Sequence, residues 1–137
     1  MEAPIAKAQI ERHAPSVLIV DDDPDISRII ALALQDSGYD IVIAADLSEA
    51  ESAVRSHGVD LIVCDLFLPD GLGSELLHRI SEPPRYPRSP ASILMSSHPD
   101  VSQHAKQVHA DAYLPKPFDL DELCSTVDRL LSRNDGV

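Results

Sequence analysis

A chain of 137 residues with 23 acidic and 11 basic side chains, formal net charge −12, suits one domain around one core and excludes nucleic-acid contact through clustered Lys and Arg. Aromatic residues make up 4% of the chain, so the core must be built from Leu, Ile, Val and Ala. No apolar run approaches the ~20 residues that span a bilayer, and the polar opening MEAPIAKAQIERHAPS lacks a signal-peptide core, so the sequence predicts a cytoplasmic domain with no membrane contact.

Residues 1–15 carry no period and read as a flexible leader. VLIV (17–20) is the first strand, and it runs into three carboxylates, Asp21, Asp22 and Asp23. Two unit charges about 4 Å apart repel by roughly 4 kcal/mol at an effective dielectric near 20, so a helix N-terminus, a lysine or a cation must offset them. Asp23 with Pro24 has the form of an N-cap and first helical position. Ile26, Ile29, Ile30, Ala33 and Leu34 follow at helical spacing, and Gly38 ends that helix. DIVIAA (40–45) is the second strand. Ser48 and Glu51 have capping-box spacing and open a helix with Ala50, Ala53 and Val54 inward and Gly58 at its end.

DLIVCD (60–65) is the third strand and again finishes on an aspartate. LPDGLG (68–73) reads as a turn-rich loop, and Leu76, Leu77 and Ile80 mark the next helix. The proline-rich EPPRYPRSP (82–90) is an irregular connection. ASILMS (91–96) is the fourth strand. The stretch 98–111 holds a short helix with a thin stripe of Val101, Ala105 and Val108, and AYLP (112–115) is the fifth strand. Asp119 and Glu122 form a second capping box, with Leu120, Leu123, Val127, Leu130 and Leu131 inward on the last helix; 134–137 is a tail. Cys64 and Cys124 lie in apolar periodic segments and read as reduced core thiols.

Continuous apolar runs imply strands covered on both faces, hence a doubly wound α/β fold with a parallel sheet between helix layers. In such sheets the functional crevice lies outside the carboxyl ends of the strands. Asp21 and Asp22 end strand one, Asp65 strand three and Ser96 strand four, while Lys116 follows strand five. All five belong to one crevice. His98 is a crevice candidate by position, whereas His104 and His109 read as solvated.

VLIVDDDP, DLIVCDLFLPDGLG, ILMSSH and AYLPKPF, in this order and strand context, resemble the receiver domain of bacterial response regulators over residues 16–133. The resemblance implies a flavodoxin-like five-stranded parallel sheet of order 2-1-3-4-5. It implies that Asp65 is the phosphoacceptor and that Asp21, Asp22, Asp65 and the Phe67 backbone carbonyl hold Mg2+. It further implies Lys116 as the catalytic lysine before a cis bond to Pro117, Ser96 as the hydroxyl switch and Tyr113 as the aromatic switch. Ser97 takes the place of a position usually filled by a very small residue. The implied partners are a sensor histidine kinase or histidine phosphotransfer protein, docking at the first helix, and a downstream protein or second copy at the fourth helix, fifth strand and last helix. Phe67, two places past Asp65, is unable to orient a water, so slow self-dephosphorylation is expected of a signalling domain rather than a turnover enzyme. Two rival readings are a non-phosphorylated interaction module and an aspartyl phosphatase of the haloacid dehalogenase type, which would want an acid where Phe67 stands.

Overall fold

The computed structural model describes residues 14–81 and 90–135. Most of the expected leader, the proline-rich connection at 82–89 and residues 136–137 of the expected tail lie outside that description. In chain order the elements are β1 (Ser16–Val20), α1 (Pro24–Asp36), β2 (Asp40–Ala44), α2 (Leu47–His57), β3 (Leu61–Asp65), a short hairpin of β4 (Phe67–Leu68) and β5 (Gly71–Leu72), α3 (Gly73–Ser81), β6 (Ala91–Ser96), α4 (Val101–Gln107), β7 (Ala112–Pro115) and α5 (Leu120–Asp135). The principal sheet is ordered β2-β1-β3-β6-β7 with every pairing parallel. Setting the hairpin aside, this is the expected 2-1-3-4-5 order.

The apolar strands are continuous because successive side chains enter opposite layers. Leu18 and Val20 of β1, Ile62 and Cys64 of β3 and Leu94 of β6 pack with α2, α3 and α4. Val17, Ile19, Leu61, Val63, Ile93 and Met95 pack with α1 and α5 on the other face. Burial contributes roughly 1.5–3 kcal/mol per large aliphatic side chain, so the central strands anchor the fold. β2 is an edge strand, and Ile43 is 49% exposed; the expected cover on both faces is incomplete there. Among the described residues no helix is long and apolar enough to cross a membrane.

Several local expectations shift. Asp23 caps α1, accepting the Asp25 and Ile26 N–H groups (3.0 and 3.4 Å), with Pro24 in the first turn. The buried face of α1 is Ser27, Ile30, Ala31 and Leu34, while Ile29 points outward. Ser27 is tolerated inside because its hydroxyl donates to the Asp21 carbonyl (3.2 Å), a contact that apolar periodicity does not register. The start of α2 is capped by Asp46, which accepts the Glu49 N–H (2.8 Å), while the Glu49 carboxylate accepts the Ala45 N–H (2.8 Å). Glu51, expected in a capping box with Ser48, instead pairs with Arg79 (3.0 Å). On α5, Leu123, Val127, Leu130 and Leu131 are buried as expected, but Leu120 is partly exposed. Both cysteines are free thiols.

Candidate functional site

Parallel strands bring their carboxyl ends to one edge, and the residues singled out there converge. Carboxylate oxygens of Asp21, Asp22 and Asp65 lie within 4.8 Å of one another. Lys116 Nζ stands 3.2 Å from Asp21 Oδ2 and 3.5 Å from Asp65 Oδ2. Asp21 is buried and rigidly held: its Oδ1 accepts the Asp23 N–H (2.9 Å), and its own N–H donates to the Ala44 carbonyl (3.1 Å). Asp22 is exposed, on the solvent side of the group. The lysine backbone is fixed by its N–H on the Ser96 carbonyl (2.8 Å), and the Lys116–Pro117 bond is cis.

Ser96 is buried at the end of β6, and its Oγ accepts the His98 N–H (3.0 Å). Ser97 is exposed and borders an apolar groove of about 390 Å³ between α1 and the start of α5, lined also by Ile26, Ile29, Pro117 and Phe118. The His98 ring packs against Phe67, with centroids 5.3 Å apart and planes tilted by 59°. The Phe67 side chain is half-exposed, and its backbone forms the first position of β4. Tyr113 lies on β7 and is 43% exposed.

Burial pushes the Asp65 carboxyl above the ordinary carboxylate range; Lys116 pulls it back, and Asp21 raises it further. Burial, with Asp65 and Asp21 beside it, also pushes the Cys64 thiol up, so this sulfur stays protonated and inert. Three carboxyl groups face one ammonium, so negative charge is in excess here. Hard oxygen donors with solvent on one side fit a divalent cation that keeps part of its water shell.

One residue that the motif reading passed over is Gly73, at the start of α3. A Cβ there would stand 2.1 Å from the Asp65 carbonyl oxygen and 2.6 Å from Cys64 Sγ. Its N–H donates to the Leu66 carbonyl (2.7 Å). The bare backbone lets α3 begin directly beneath Asp65. The final glycine of LPDGLG was the available signal, but turn chemistry alone explains a glycine there.

Comparison with known proteins agrees with this geometry. The description "Response regulator receiver domain" matches residues 17–128. The chain is 33% identical over 120 residues to the transcriptional regulatory protein TrcR of Mycobacterium tuberculosis, covering 86% of this chain and 46% of that protein. It is 35% identical over 118 residues to the DNA-binding transcriptional regulator NtrC of Salmonella typhimurium, covering 85% of this chain and 24% of that one. The chain thus spans half or less of the length of these two regulators. Among solved structures, the chemotaxis response regulator CheY4 of Vibrio cholerae superposes with a TM-score of 0.77 at 29% identity, covering 85% of this chain and 98% of that one. A putative response regulator from Chloroflexus aurantiacus gives 0.79 at 29% identity, covering 87% and 98%. Strand order, the acidic group at the strand ends and a match over most of the chain lead to one conclusion: this protein belongs to the response regulator receiver domain family of two-component signalling.

Proposed function

We propose that this receiver, residues 16–133, takes a phosphoryl group onto Asp65 from a sensor histidine kinase or a histidine phosphotransfer protein in the cytoplasm. One observation carries the reading: the Asp65 carboxylate sits within 4.8 Å of the Asp21 and Asp22 carboxylates and 3.5 Å from Lys116 Nζ. A carboxylate is a weak nucleophile, and phosphoryl transfer to it depends on positioning and charge neutralisation. An Asp65 oxygen forms the new O–P bond as the P–N bond of the phosphohistidine breaks, and the imidazole nitrogen leaves with the electron pair and takes a proton. Lys116 turns from its carboxylate partners to a phosphoryl oxygen. Ser96 Oγ already accepts from the His98 N–H, which leaves its own O–H to donate to a second phosphoryl oxygen. Asp21, Asp22, Asp65 and the Phe67 carbonyl would hold Mg2+, which would supply the remaining positive charge at the transferring group.

The response is a population shift read by a partner that discriminates two states. Movement of Ser96 toward the phosphoryl group opens space for Tyr113 to turn inward, which alters the face formed by α4, β7 and α5. A downstream protein or a second copy reads that face. The exposed Ile29 and Leu32 of α1 and the apolar groove beside them support docking of the phosphodonor there. Phe67 supplies no group to orient an attacking water, so self-dephosphorylation is slow and the chain is a signalling domain rather than a turnover enzyme.

Intact mass after incubation with acetyl phosphate, with and without Mg2+, tests the reading on the parent and on Asp65→Asn. A single Mg2+-dependent phosphoryl adduct in the parent and none in the variant is expected. Absence of an adduct in both would refute the reading and return the chain to a non-phosphorylated interaction module.

A further inference from the structure

The hairpin that follows Asp65 is tied to the rest of the fold at its tip. β4 and β5 pair as Phe67 with Leu72 and Leu68 with Gly71, leaving Pro69 and Asp70 as the turn. The Asp70 carboxylate reaches the start of α2, where one oxygen accepts the Leu47 N–H (2.8 Å) and the other the Ser48 N–H (3.2 Å). Asp46 accepts the next N–H, that of Glu49 (2.8 Å). The opening N–H groups of a helix have no partner within it. Here they are taken by two carboxylates, one local and one supplied by the hairpin.

Neighbouring contacts close the same junction. A Cβ on Gly71 would stand 2.7 Å from Leu47 Cδ1 of α2 and 2.8 Å from Glu75 Oε1 of α3, both movable side-chain ends, while the positive φ of 151° favours glycine at this tip. The Leu72 N–H donates to Glu75 Oε1 (3.1 Å). The aligned N–H groups of α2 favour a negative charge at this position and hold the Asp70 carboxyl below its ordinary range. Phe67, at the other end of the hairpin, has a half-exposed side chain against the His98 ring and is paired across the hairpin with Leu72, so its placement follows that of the hairpin.

We infer that Asp70 is a positioning residue for the cation site: by tying the hairpin tip to α2, it fixes the Phe67 carbonyl at the mouth of the Asp21–Asp22–Asp65 group. The inference rests on the proposed role of that carbonyl. Mg2+ demands near-ideal octahedral geometry, so a ligand carried on a two-residue strand needs an external anchor. The carboxylate that supplies this anchor belongs to the turn of the same hairpin.

Asp70→Ala and Asp46→Ala each remove a carboxylate from the start of α2, but only Asp70 belongs to the hairpin. The test measures Mg2+ affinity by titration calorimetry, melting temperature in chelator, and phosphorylation rate from acetyl phosphate across Mg2+ concentrations. Asp70→Ala is expected to weaken Mg2+ binding about tenfold, the effect typical of losing a group that orients a ligand. Its phosphorylation rate falls at low Mg2+ and recovers at saturation. Asp46→Ala lowers the melting temperature without changing Mg2+ affinity, and Asp70→Asn, which keeps an oxygen acceptor, falls between parent and Asp70→Ala. Unchanged affinity in Asp70→Ala, or equal losses in Asp70→Ala and Asp46→Ala, would overturn the inference while Asp65 chemistry in the parent stands. A parent that binds no Mg2+ overturns both the inference and the site reading beneath it.

Discussion

Asp65→Asn is expected to stabilise the metal-free protein. The carboxylates of Asp21, Asp22 and Asp65 lie within 4.8 Å of one another, and Lys116 is 3.5 Å from Asp65. At an effective dielectric near 20, repulsion between Asp65 and the other two carboxylates amounts to about 7 kcal/mol, and attraction to Lys116 returns about 5 kcal/mol. Burial, the largest cause of the raised Asp65 carboxyl, adds to that difference, and solvent around the exposed Asp22 reduces it, so the net is about 1–2 kcal/mol against the charged form. Asparagine keeps the shape and removes the charge. At roughly 3–6 °C per kcal/mol for a domain of this size, the melting temperature should rise by about 3–12 °C at pH 7.5 in chelator. The pH dependence has a definite sign. The folded-state pKa of Asp65 is raised above its ordinary 3.8, so its contribution to stability is present below that ordinary value and lost as pH rises through the raised one. The advantage of Asp65→Asn is therefore full at neutral pH and shrinks as pH falls through the raised value toward 3.8. Added Mg2+ should stabilise the parent more than the variant and narrow the gap. A variant melting at or below the parent in chelator at pH 7.5 would refute the electrostatic account of the site.

Other perturbations separate the roles of the remaining residues. Lys116→Met should leave the fold intact by circular dichroism yet slow phosphorylation from acetyl phosphate by about a hundredfold, the scale of removing one preorganised charge from a transferring group. Gly73→Ala forces a Cβ against the Asp65 carbonyl oxygen and should cost about 1–3 kcal/mol in urea unfolding; an unchanged midpoint would show that α3 can move aside. Phe67→Asn introduces a group able to hold a water, and the phosphoprotein should lose its label about tenfold faster, equivalent to ~1.4 kcal/mol of barrier. A parent half-life of seconds would remove the basis for that expectation. Ser96→Ala should still accept the phosphoryl group, but hydrogen exchange over 101–107 should no longer change on phosphorylation; an unaltered response would exclude this hydroxyl as the coupling element.

The sheet was readable in the sequence because its central strands are buried on two sides. Leu18 and Ile19 enter different layers, so VLIV shows no alternation and announces a parallel strand. The acidic group was readable for the same reason, since an apolar strand that ends on carboxylates places them at the crevice. Legibility declines where a residue's partner is distant in sequence. The Asp46–Glu49 cap displaced the expected Ser48–Glu51 box because Glu51 is drawn to Arg79 on α3. Ile29 has the spacing of a core residue but faces outward, its expected place taken by Ser27 bonded to Asp21. Gly73 and Asp70 look like ordinary turn residues until their neighbours, Asp65 and the start of α2, are seen. The cis Lys116–Pro117 bond followed from family resemblance, since only about 5–6% of X–Pro bonds are cis in folded proteins.

The energetics of the proposed switching suit a helix as small as α4. Driving a two-state element from 1:99 to 99:1 takes a differential of about 5.5 kcal/mol. On the proposed mechanism the phosphoryl group gains two charge-assisted hydrogen bonds, from Ser96 and Lys116, each worth about 1.5–3 kcal/mol. Their sum reaches that differential only if the resting packing opposes it weakly. α4 has seven residues and buries Val101 and Ala105, both small, and a fully buried valine contributes only about 1.5 kcal/mol. Tyr113 already lies largely outside the core on β7, so its inward turn adds burial instead of giving it up. A longer helix with several buried leucines would hold the resting state beyond what two hydrogen bonds could overcome. On the proposed mechanism the thin stripe on α4 is thus a condition for the site to be heard at the surface, and the carboxylate repulsion that would weaken the metal-free fold is the same charge that would draw a cation in.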